Sequence, residues 1–284
     1  MSRNSNRMAQ QAPPENEPTE VQPQAPIQAV RRTANTEFVE LPSRGAFYPK
    51  NHPLHGKDVV EIRFMTARDE DILTSPALLR KGVAIDKFIQ NILVDQAINV
   101  SDLLLGDKSA IMVAARVTGY GPEYDVKITC PECNTESEHS IDLTDYHKYF
   151  RKFEQSEHFK LNNNGQFETK LPLSGDTVVV KLLTSKDEQA TANRQKAKQK
   201  NRLAETNATD FLKLVIVSIN GVNHPAELSE MIMDMPARDS RFLRKHYALL
   251  VPTVKMVENI ECMYCGTVTE TEVPLEATFF WPDL

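Results

Sequence analysis

Two short stretches decide the fold: ITCPEC at residues 128–133 and IECMYC at residues 260–265. Together they hold all four cysteines of the 284-residue chain, as two Cys-x-x-Cys pairs with corresponding cysteines 132 positions apart. In front of the first pair, Tyr124, Val126 and Ile128 alternate with polar residues, as in a strand with one buried face. The stretches therefore predict two β-hairpins, each with a cysteine knuckle at its turn.

The cysteine pairs predict a zinc site. Zn²⁺ prefers four soft or borderline ligands in a tetrahedron, and one Cys-x-x-Cys turn brings two thiolates to the same ion. Two such turns complete the ligand shell, which leaves no position open for water or substrate and favours a structural ion over a catalytic one. We expect one structural Zn²⁺ per chain and no catalytic residue. The predicted metal ligands are Cys130, Cys133, Cys262 and Cys265.

The cysteines also allow other interpretations. Two redox-active dithiols, or two disulfides formed on oxidation, would use the same four residues. A redox-active pair usually lies at a helix N-terminus, which lowers the pKa of a thiol. Here Ile128 and Ile260 precede the two pairs at the ends of predicted strands. His139 and His147 follow the first pair and could serve as alternative ligands, but the simpler interpretation is that they face solvent.

A second set of matches indicates an internal repeat. LPSRG at residues 41–45 is echoed by LPLSG at 171–175, and TARDE at 66–70 is echoed by TSKDE at 184–188. Three further residues of the second half stand 132 positions after Asp107, Ile111 and Ile128; they are Asp239, Leu243 and Ile260. The offset falls to 118 at the Asp-Glu pair, so insertions or deletions lie between. The alternative is that any α+β chain with two zinc hairpins would show some such matches.

The predicted fold class is α+β, with two related lobes that arose by internal duplication and meet at a four-cysteine, zinc-ribbon-like site. Each lobe runs from a strand through helices to a β-knuckle. Residues 1–35 are rich in Gln, Pro, Asn and Ala and predict a disordered tail. We place the first lobe at residues 36–150 and the second at 165–284.

Three local patterns place helices in the first lobe. Residues 85, 88, 89, 92 and 93 are apolar at the spacing of an amphipathic helix. Thr66, followed by two acidic residues, predicts a helix start, and Asp107 is the predicted N-cap of a helix through Ile111.

Composition excludes several function classes. The formal net charge is -6, so the chain as a whole does not attract nucleic acid or anionic lipid. Phosphate-loop, dinucleotide-binding, HExxH and GxSxG motifs are all missing from the sequence, which favours a protein that is not an enzyme. The N-terminus lacks the pattern of a signal peptide, and no apolar run is long enough to span a membrane. A local basic run at residues 186–202 keeps nucleic-acid binding open as an alternative.

Several longer segments resemble the baseplate hub assembly family of T-even-type contractile-tailed bacteriophages. The matching segments are EFVELPSRGAFYP at 37–49, TARDEDIL at 66–73, KFIQNIL at 87–93, NVSDLLLGD at 99–107 and YDVKITCPEC at 124–133. The resemblance is most specific over residues 36–150 and weaker over 165–284. It carries over no binding residue, and the zinc assignment rests on the cysteine spacing of this sequence.

The resemblance implies a structural or assembly protein of a phage tail baseplate hub, located in the virion tail baseplate or in the host cytoplasm during assembly. Its expected partners are other baseplate, hub or tape-measure proteins, with no small-molecule substrate and no membrane. Zinc would serve as a structural clamp. The alternative function is a zinc-ribbon nucleic-acid-binding regulatory protein that uses the basic run.

Overall fold

A computed structural model describes residues 35–151, 153, 156–200, 207–273, 279 and 280, with the backbone alone at 196–200 and 207. The predicted disordered tail, residues 1–35, lies outside these residues except for Asn35. All of these described residues belong to one compact unit.

The N-terminal half, residues 35–151, begins with a β-hairpin, continues through four helices to a second hairpin, and ends in a 3₁₀ turn and a short strand. Its elements are β1 (Thr36–Glu40), β2 (Val59–Arg63), α1 (Ala67–Leu73), α2 (Pro76–Lys81), α3 (Ala84–Ile92), a 3₁₀ turn (Val100–Asp102), α4 (Leu105–Tyr120), β3 (Glu123–Thr129), β4 (Glu136–Asp142), a second 3₁₀ turn (Tyr146–Tyr149) and β5 (Phe150–Arg151). The predicted helix face is confirmed, because Phe88, Ile89, Ile92 and Leu93 are buried while Ile85 is half-buried.

The C-terminal half again runs from strands through helices to a hairpin. Its elements are β6 (Lys160–Leu161), β7 (Phe167–Lys170), β8 (Thr177–Val180), α5 (Ser185–Lys200), α6 (Asn207–Val215), β9 (Ile216–Ile219), α7 (Pro225–Met233), α8 (Ala237–Leu250), β10 (Thr253–Val254), β11 (Val257–Glu261) and β12 (Val268–Glu272).

Strands of the described residues pair antiparallel throughout. The pairs β1–β2, β3–β4 and β11–β12 are hairpins, β6-β7-β8-β9 form one sheet in that order, and β5 pairs with β10 across the two halves. Helices and antiparallel strands occur in both halves. The predicted mixed α+β class is therefore confirmed.

One helix start is fixed by the same polar arrangement in both halves. The Thr66 backbone N–H and Oγ1 each donate to Asp69 Oδ2 at 2.8 Å, and Arg63 donates to both carboxylate oxygens. At α5, the Thr184 N–H and Oγ1 each donate to Asp187 Oδ2 at 3.1 Å, and Lys181 donates to Oδ1 at 2.7 Å. The helix start predicted at Thr66 is confirmed, since Thr66 is the N-cap of α1.

The prediction for Asp107 is wrong in its local detail. Leu104 is the N-cap of α4, and Asp107 is the third helical residue. Its fully buried carboxylate instead accepts hydrogen bonds from the Ser43 N–H at 3.0 Å, Ser43 Oγ at 2.6 Å and the Tyr48 hydroxyl at 2.8 Å. The carboxylate therefore binds a turn 64 positions earlier in the chain, and this long-range partner cannot be predicted from the local sequence.

Asp239 holds the corresponding turn of the C-terminal half. It is the third residue of α8 and is fully buried, and its two oxygens accept from the Leu173 and Ser174 N–H groups at 2.9 Å each. Thus the two LPxxG-type turns are each fastened to the first turn of a later helix by an aspartate.

The two halves share one continuous core. Phe279 and Phe280, near the C-terminus, pack into the N-terminal half, with ring centroids 4.9 Å from Tyr124 and 5.3 Å from Phe88. Arg116 Nε donates to the Phe279 carbonyl at 2.8 Å. Gly106 of α4 lies so close to the Pro252 carbonyl that a Cβ would collide with it, so only glycine permits this approach.

Candidate metal centre

The two cysteine knuckles are turns of equivalent hairpins. β3 and β4 pair from Glu123↔Asp142 to Thr129↔Glu136, and β11 and β12 pair from Val257↔Glu272 to Glu261↔Val268. Each turn therefore spans six residues, 130–135 and 262–267. The predicted hairpins with cysteines at their turns are present.

Both turns close with the same backbone hydrogen bonds. The Cys130 N–H donates to the Thr135 carbonyl at 3.0 Å, and the Cys262 N–H donates to the Thr267 carbonyl at 3.0 Å. The residue after the second cysteine is left-handed in each turn, Asn134 with φ 55° and Gly266 with φ 71°. Its N–H donates back to the first cysteine's carbonyl, at 2.9 Å and 2.8 Å respectively. Asn and Gly are the residues that adopt this conformation most readily.

The hairpins bring the four thiols into one cluster. All four Sγ atoms lie within 4.8 Å of one another, with Cys130 Sγ 3.7 Å from Cys265 Sγ and Cys133 Sγ 3.6 Å from Cys262 Sγ. In a tetrahedral site with Zn–S bonds of about 2.3 Å, the sulfurs stand roughly 3.8 Å apart. A disulfide requires about 2.05 Å, and the four cysteines are free. The donor set and spacing fit a metal ion of zinc's size.

The first cysteine of each pair faces inward and the second faces out. Cys130 and Cys262 are buried, while Cys133 and Cys265 are exposed. Ile128 and Ile260, two residues before the inner cysteines, are also buried, and all four residues line one small cleft. The two hairpins thus contribute matching residues to this cleft.

Hydrogen bonding favours the thiolate form at the outer cysteines. Contacts with the side chain and then the backbone of Thr135 lower the pKa of Cys133 to about 6. The side chain and backbone of Thr267 likewise lower the pKa of Cys265. A thiolate is the form that binds a metal, so these threonines favour the metal-binding form of the two outer cysteines.

Neither alternative histidine ligand joins the cluster. His139 Nε2 lies 2.8 Å from Ser137 Oγ, and His147 stacks on Tyr146 with ring centroids 4.3 Å apart. Within the described part of the chain, the group of cysteine, histidine and acidic side chains close enough to hold a metal is the four cysteines.

Contacts between the halves position the hairpins independently of any ion. Lys148 Nζ contacts Glu258 Oε1 at 2.8 Å, and the Tyr149 hydroxyl donates to the same oxygen. The Lys255 N–H donates to the Tyr149 carbonyl at 2.9 Å, beside the β5–β10 pair. These contacts tie the strand that precedes Cys262 to the segment that follows β4.

A second polar cluster, which sequence reasoning missed, joins the halves through α3, α4 and α5. Lys108 Nζ lies 2.7 Å from Asp86 Oδ1 and 2.6 Å from Glu188 Oε2, and it donates to Ser185 Oγ at 3.1 Å. Burial alone would lower the pKa of Lys108, but the hydrogen bonds with Asp86 and Glu188 outweigh burial and raise it. Ser185 is fully buried, and the side chains of Lys108 and Asp86 are 11% and 14% exposed, so most of the cluster lies inside the contact between the halves. No local pattern distinguishes these residues from ordinary surface charges.

The described helices include none that is both long and apolar enough to cross a membrane. No curated protein matches the chain, and no solved structure matches it either. The sequence model of the family described as T4 bacteriophage base plate protein matches residues 33–281, which include both cysteine hairpins and the contacts between the halves. The chain therefore belongs to the T4 bacteriophage base plate protein family.

Proposed function

We propose that the protein is a non-enzymatic structural or assembly component of the phage baseplate hub, and that it acts through protein–protein contacts. The observation that carries the proposal is the family match over residues 33–281, which supports a structural role in the baseplate and a place in the virion tail. The hub itself is the narrower part of the proposal. It is supported by the resemblance over residues 36–150.

Zinc is the proposed clamp of this component. Cys130 and Cys133 from one half would share one Zn²⁺ with Cys262 and Cys265 from the other, and the Sγ separations of 3.6 and 3.7 Å support this. Four thiolates fill the ligand shell, so the ion would be structural. Because metal binding is coupled to folding, zinc would stabilise the arrangement of two hairpins that are far apart in sequence.

An internal duplication is the proposed origin of the two cysteine pairs, with one lobe over residues 36–150 and a related lobe over 165–284. Three matched polar arrangements support it. They are the Thr66–Asp69 and Thr184–Asp187 helix starts, the turns fastened by Asp107 and Asp239, and the hydrogen bonds of the two cysteine turns. Similar contacts at corresponding positions are harder to produce by chance than matching short motifs.

Other baseplate, hub or tape-measure proteins are the proposed partners, met in the virion or in the host cytoplasm during assembly. The alternative, a nucleic-acid-binding regulator, has less support. The side chains of residues 196–202, the C-terminal part of its basic run, lie outside the described residues. The family match points to a baseplate component instead.

Mass spectrometry of purified virions and of infected-cell lysate tests the proposal. A fixed stoichiometry in virions indicates a component, while co-migration with hub intermediates in lysate alone indicates an assembly factor. A chain that appears in neither virions nor hub intermediates contradicts the proposal.

A further inference from the structure

The two cysteine hairpins concentrate the negative charge of the molecule. Residues 123–142 and 257–272, here called the acidic ribbon, contain ten acidic residues and one lysine, which give a formal charge of -9 in a chain whose total is -6. The rest of the chain is therefore slightly positive. Nine of the ten acidic side chains are exposed, and Glu258 is half-buried.

Few cations neutralise this charge. Within the described residues, the ribbon's ion pairs are Lys127–Glu138 at 3.4 Å, Lys148–Glu258 at 2.8 Å and Lys255–Glu272 at 3.5 Å. Seven carboxylates of the ribbon have no ion pair there; they are Glu123, Asp125, Glu132, Glu136, Asp142, Glu261 and Glu270. A Zn²⁺ held by four thiolates would carry a further net charge of -2.

An apolar surface lies at the tip of the ribbon. Met263 and Tyr264, between the two cysteines of the second turn, are 72% and 68% exposed, and Val268 just beyond the turn is 59% exposed. Large apolar side chains next to one another in water are typical of interaction sites, and tyrosine is enriched among the residues that dominate binding energy. Two backbone hydrogen bonds close this turn, from the Cys262 N–H to the Thr267 carbonyl and from the Gly266 N–H to the Cys262 carbonyl, so binding there would cost little ordering entropy.

The tip is asymmetric in spite of the matched hairpins. The first turn carries Pro131 and Glu132 where the second carries Met263 and Tyr264. An apolar anchor is therefore present on one turn only, with carboxylates on the strands around it. This combination favours one bound segment with an apolar centre and a cationic periphery.

We propose that the tip of the acidic ribbon docks a positively charged protein segment, which places an apolar side chain against Met263 and Tyr264 and lysines or arginines against the surrounding carboxylates. The inference rests on the proposed function in that the protein acts through protein contacts. It deepens that function by giving the chemistry of the partner, a basic and partly apolar polypeptide. Nucleic acid would be repelled by the same charge.

Fluorescence anisotropy with the full zinc-loaded chain tests the proposal. The probe is a short fluorescein-labelled peptide of lysines and glycines around a central Leu-Trp pair. We expect it to bind, and we expect versions with Ser-Ser at the centre or glutamates for lysines to bind at least about tenfold more weakly. A short DNA duplex should not bind. Absence of binding by the Lys/Leu-Trp peptide, or equal binding of all probes, overturns the proposal.

Two sets of variants locate the binding. Met263→Ser with Tyr264→Ser should weaken peptide binding by about tenfold or more, while Phe38→Ser, at a residue that is also 68% exposed, should leave it unchanged. Glu136→Gln, Glu261→Gln and Glu270→Gln together should weaken binding and flatten its dependence on salt. The matched control removes the same charge elsewhere, through Asp71→Asn, Glu168→Gln and Glu227→Gln. Equal effects of the test and control variants overturn the proposal.

Zinc content and melting temperature, measured on the same preparations, separate the two proposals. All variants replace exposed side chains and should keep both values. If the wild-type chain holds one zinc and enters virions but fails to bind the peptide, the docking inference is wrong and the proposed function stands. If the wild-type chain lacks zinc, the proposed zinc clamp is wrong instead.

Discussion

At the scale of single residues, buried aspartates connect segments that are distant in sequence by accepting hydrogen bonds from them. Asp69 accepts hydrogen bonds from Arg63, Thr66 and Asn91, and Asp107 accepts from Ser43 and Tyr48. Burial alone would raise the pKa of Asp69, but its hydrogen-bond donors, Arg63 first, outweigh burial and lower the pKa to about 2. For Asp107, which has no cation among its donors, burial prevails and its pKa is raised.

The lowered pKa of Asp69 predicts a pH-dependent contribution to stability. A carboxyl whose folded-state pKa lies below its usual value near 3.8 stabilises the fold above that value, and the contribution is lost as pH falls towards 2. Asp69→Asn should therefore be less stable than wild type by about 2 kcal/mol at pH 6 and nearly equal to it at pH 2. Urea denaturation at each pH measures the difference, and any loss of metal is common to both chains.

Asp71→Asn is the matched control for Asp69→Asn, because Asp71 lies in the same helix with an exposed side chain. It should change stability by less than about 0.5 kcal/mol at every pH. A difference between Asp69→Asn and wild type that does not vary with pH would contradict the role given to this carboxylate.

At the scale of elements, each cysteine hairpin depends on one left-handed residue in its turn. Asn134 and Gly266 hold equivalent positions, and a Cβ at Gly266 would meet no atom within 4 Å. Any cost of a side chain there is therefore a backbone cost. The two turns thus show two different residues, Asn134 and Gly266, at the same left-handed position.

Substitution at Gly266 should follow backbone preference. Gly266→Asn copies the first turn and should lower the free energy of unfolding by only a few tenths of a kcal/mol. Gly266→Val places a β-branched residue in the left-handed region and should lower it by about 1–2 kcal/mol. Competition with a chelator measures zinc retention in each chain. If the valine variant retains zinc as well as the asparagine variant does, this turn geometry does not matter to the site.

The helical contact between the halves depends on Lys108. Lys108→Met keeps the side-chain length but leaves Asp86 without its buried cation, so we expect a loss of about 2–4 kcal/mol in the free energy of unfolding. Lys127→Met breaks the exposed pair with Glu138 and should cost less than about 0.5 kcal/mol. Equal losses in the two variants would show that burial does not set the strength of the Lys108 contacts.

How far the sequence predicts these elements depends on the range of the interaction. The buried face of α3 and the strand before Cys130 follow from local periodicity, and the corresponding residues Phe88, Ile89 and Val126 are buried. The cysteine cluster was also predictable, because two Cys-x-x-Cys turns have few other uses. The role of Asp107 and the Lys108 cluster were not, since their partners lie about 20–80 positions away and leave no local pattern.

At the scale of the whole molecule, the chain closes on itself. Phe279 and Phe280 are fully buried against residues of the N-terminal half, and Arg116 binds the carbonyl of Phe279 across 163 positions. The sequence around these phenylalanines has no periodicity that predicts burial.

Removing this closure should destabilise the entire unit. Phe280→Ala leaves a cavity beside Phe88 and should lower the free energy of unfolding by about 3–5 kcal/mol. Phe38→Ala, at an exposed position, should lower it by less than about 0.5 kcal/mol. Calorimetry should detect one transition that moves as a whole in Phe280→Ala. A second transition, with part of the molecule melting at the wild-type temperature, would contradict a shared core.

The central claim is that one metal ion joins the two cysteine hairpins. The most direct test is the zinc content per chain, by mass spectrometry of the metal, of wild type and Cys262→Ser purified in parallel without chelator. We predict one zinc per wild-type chain, and in Cys262→Ser a loss of zinc with a lower melting temperature. Wild type without zinc, or a Cys262→Ser chain that keeps one zinc and melts at the wild-type temperature, would contradict the shared site.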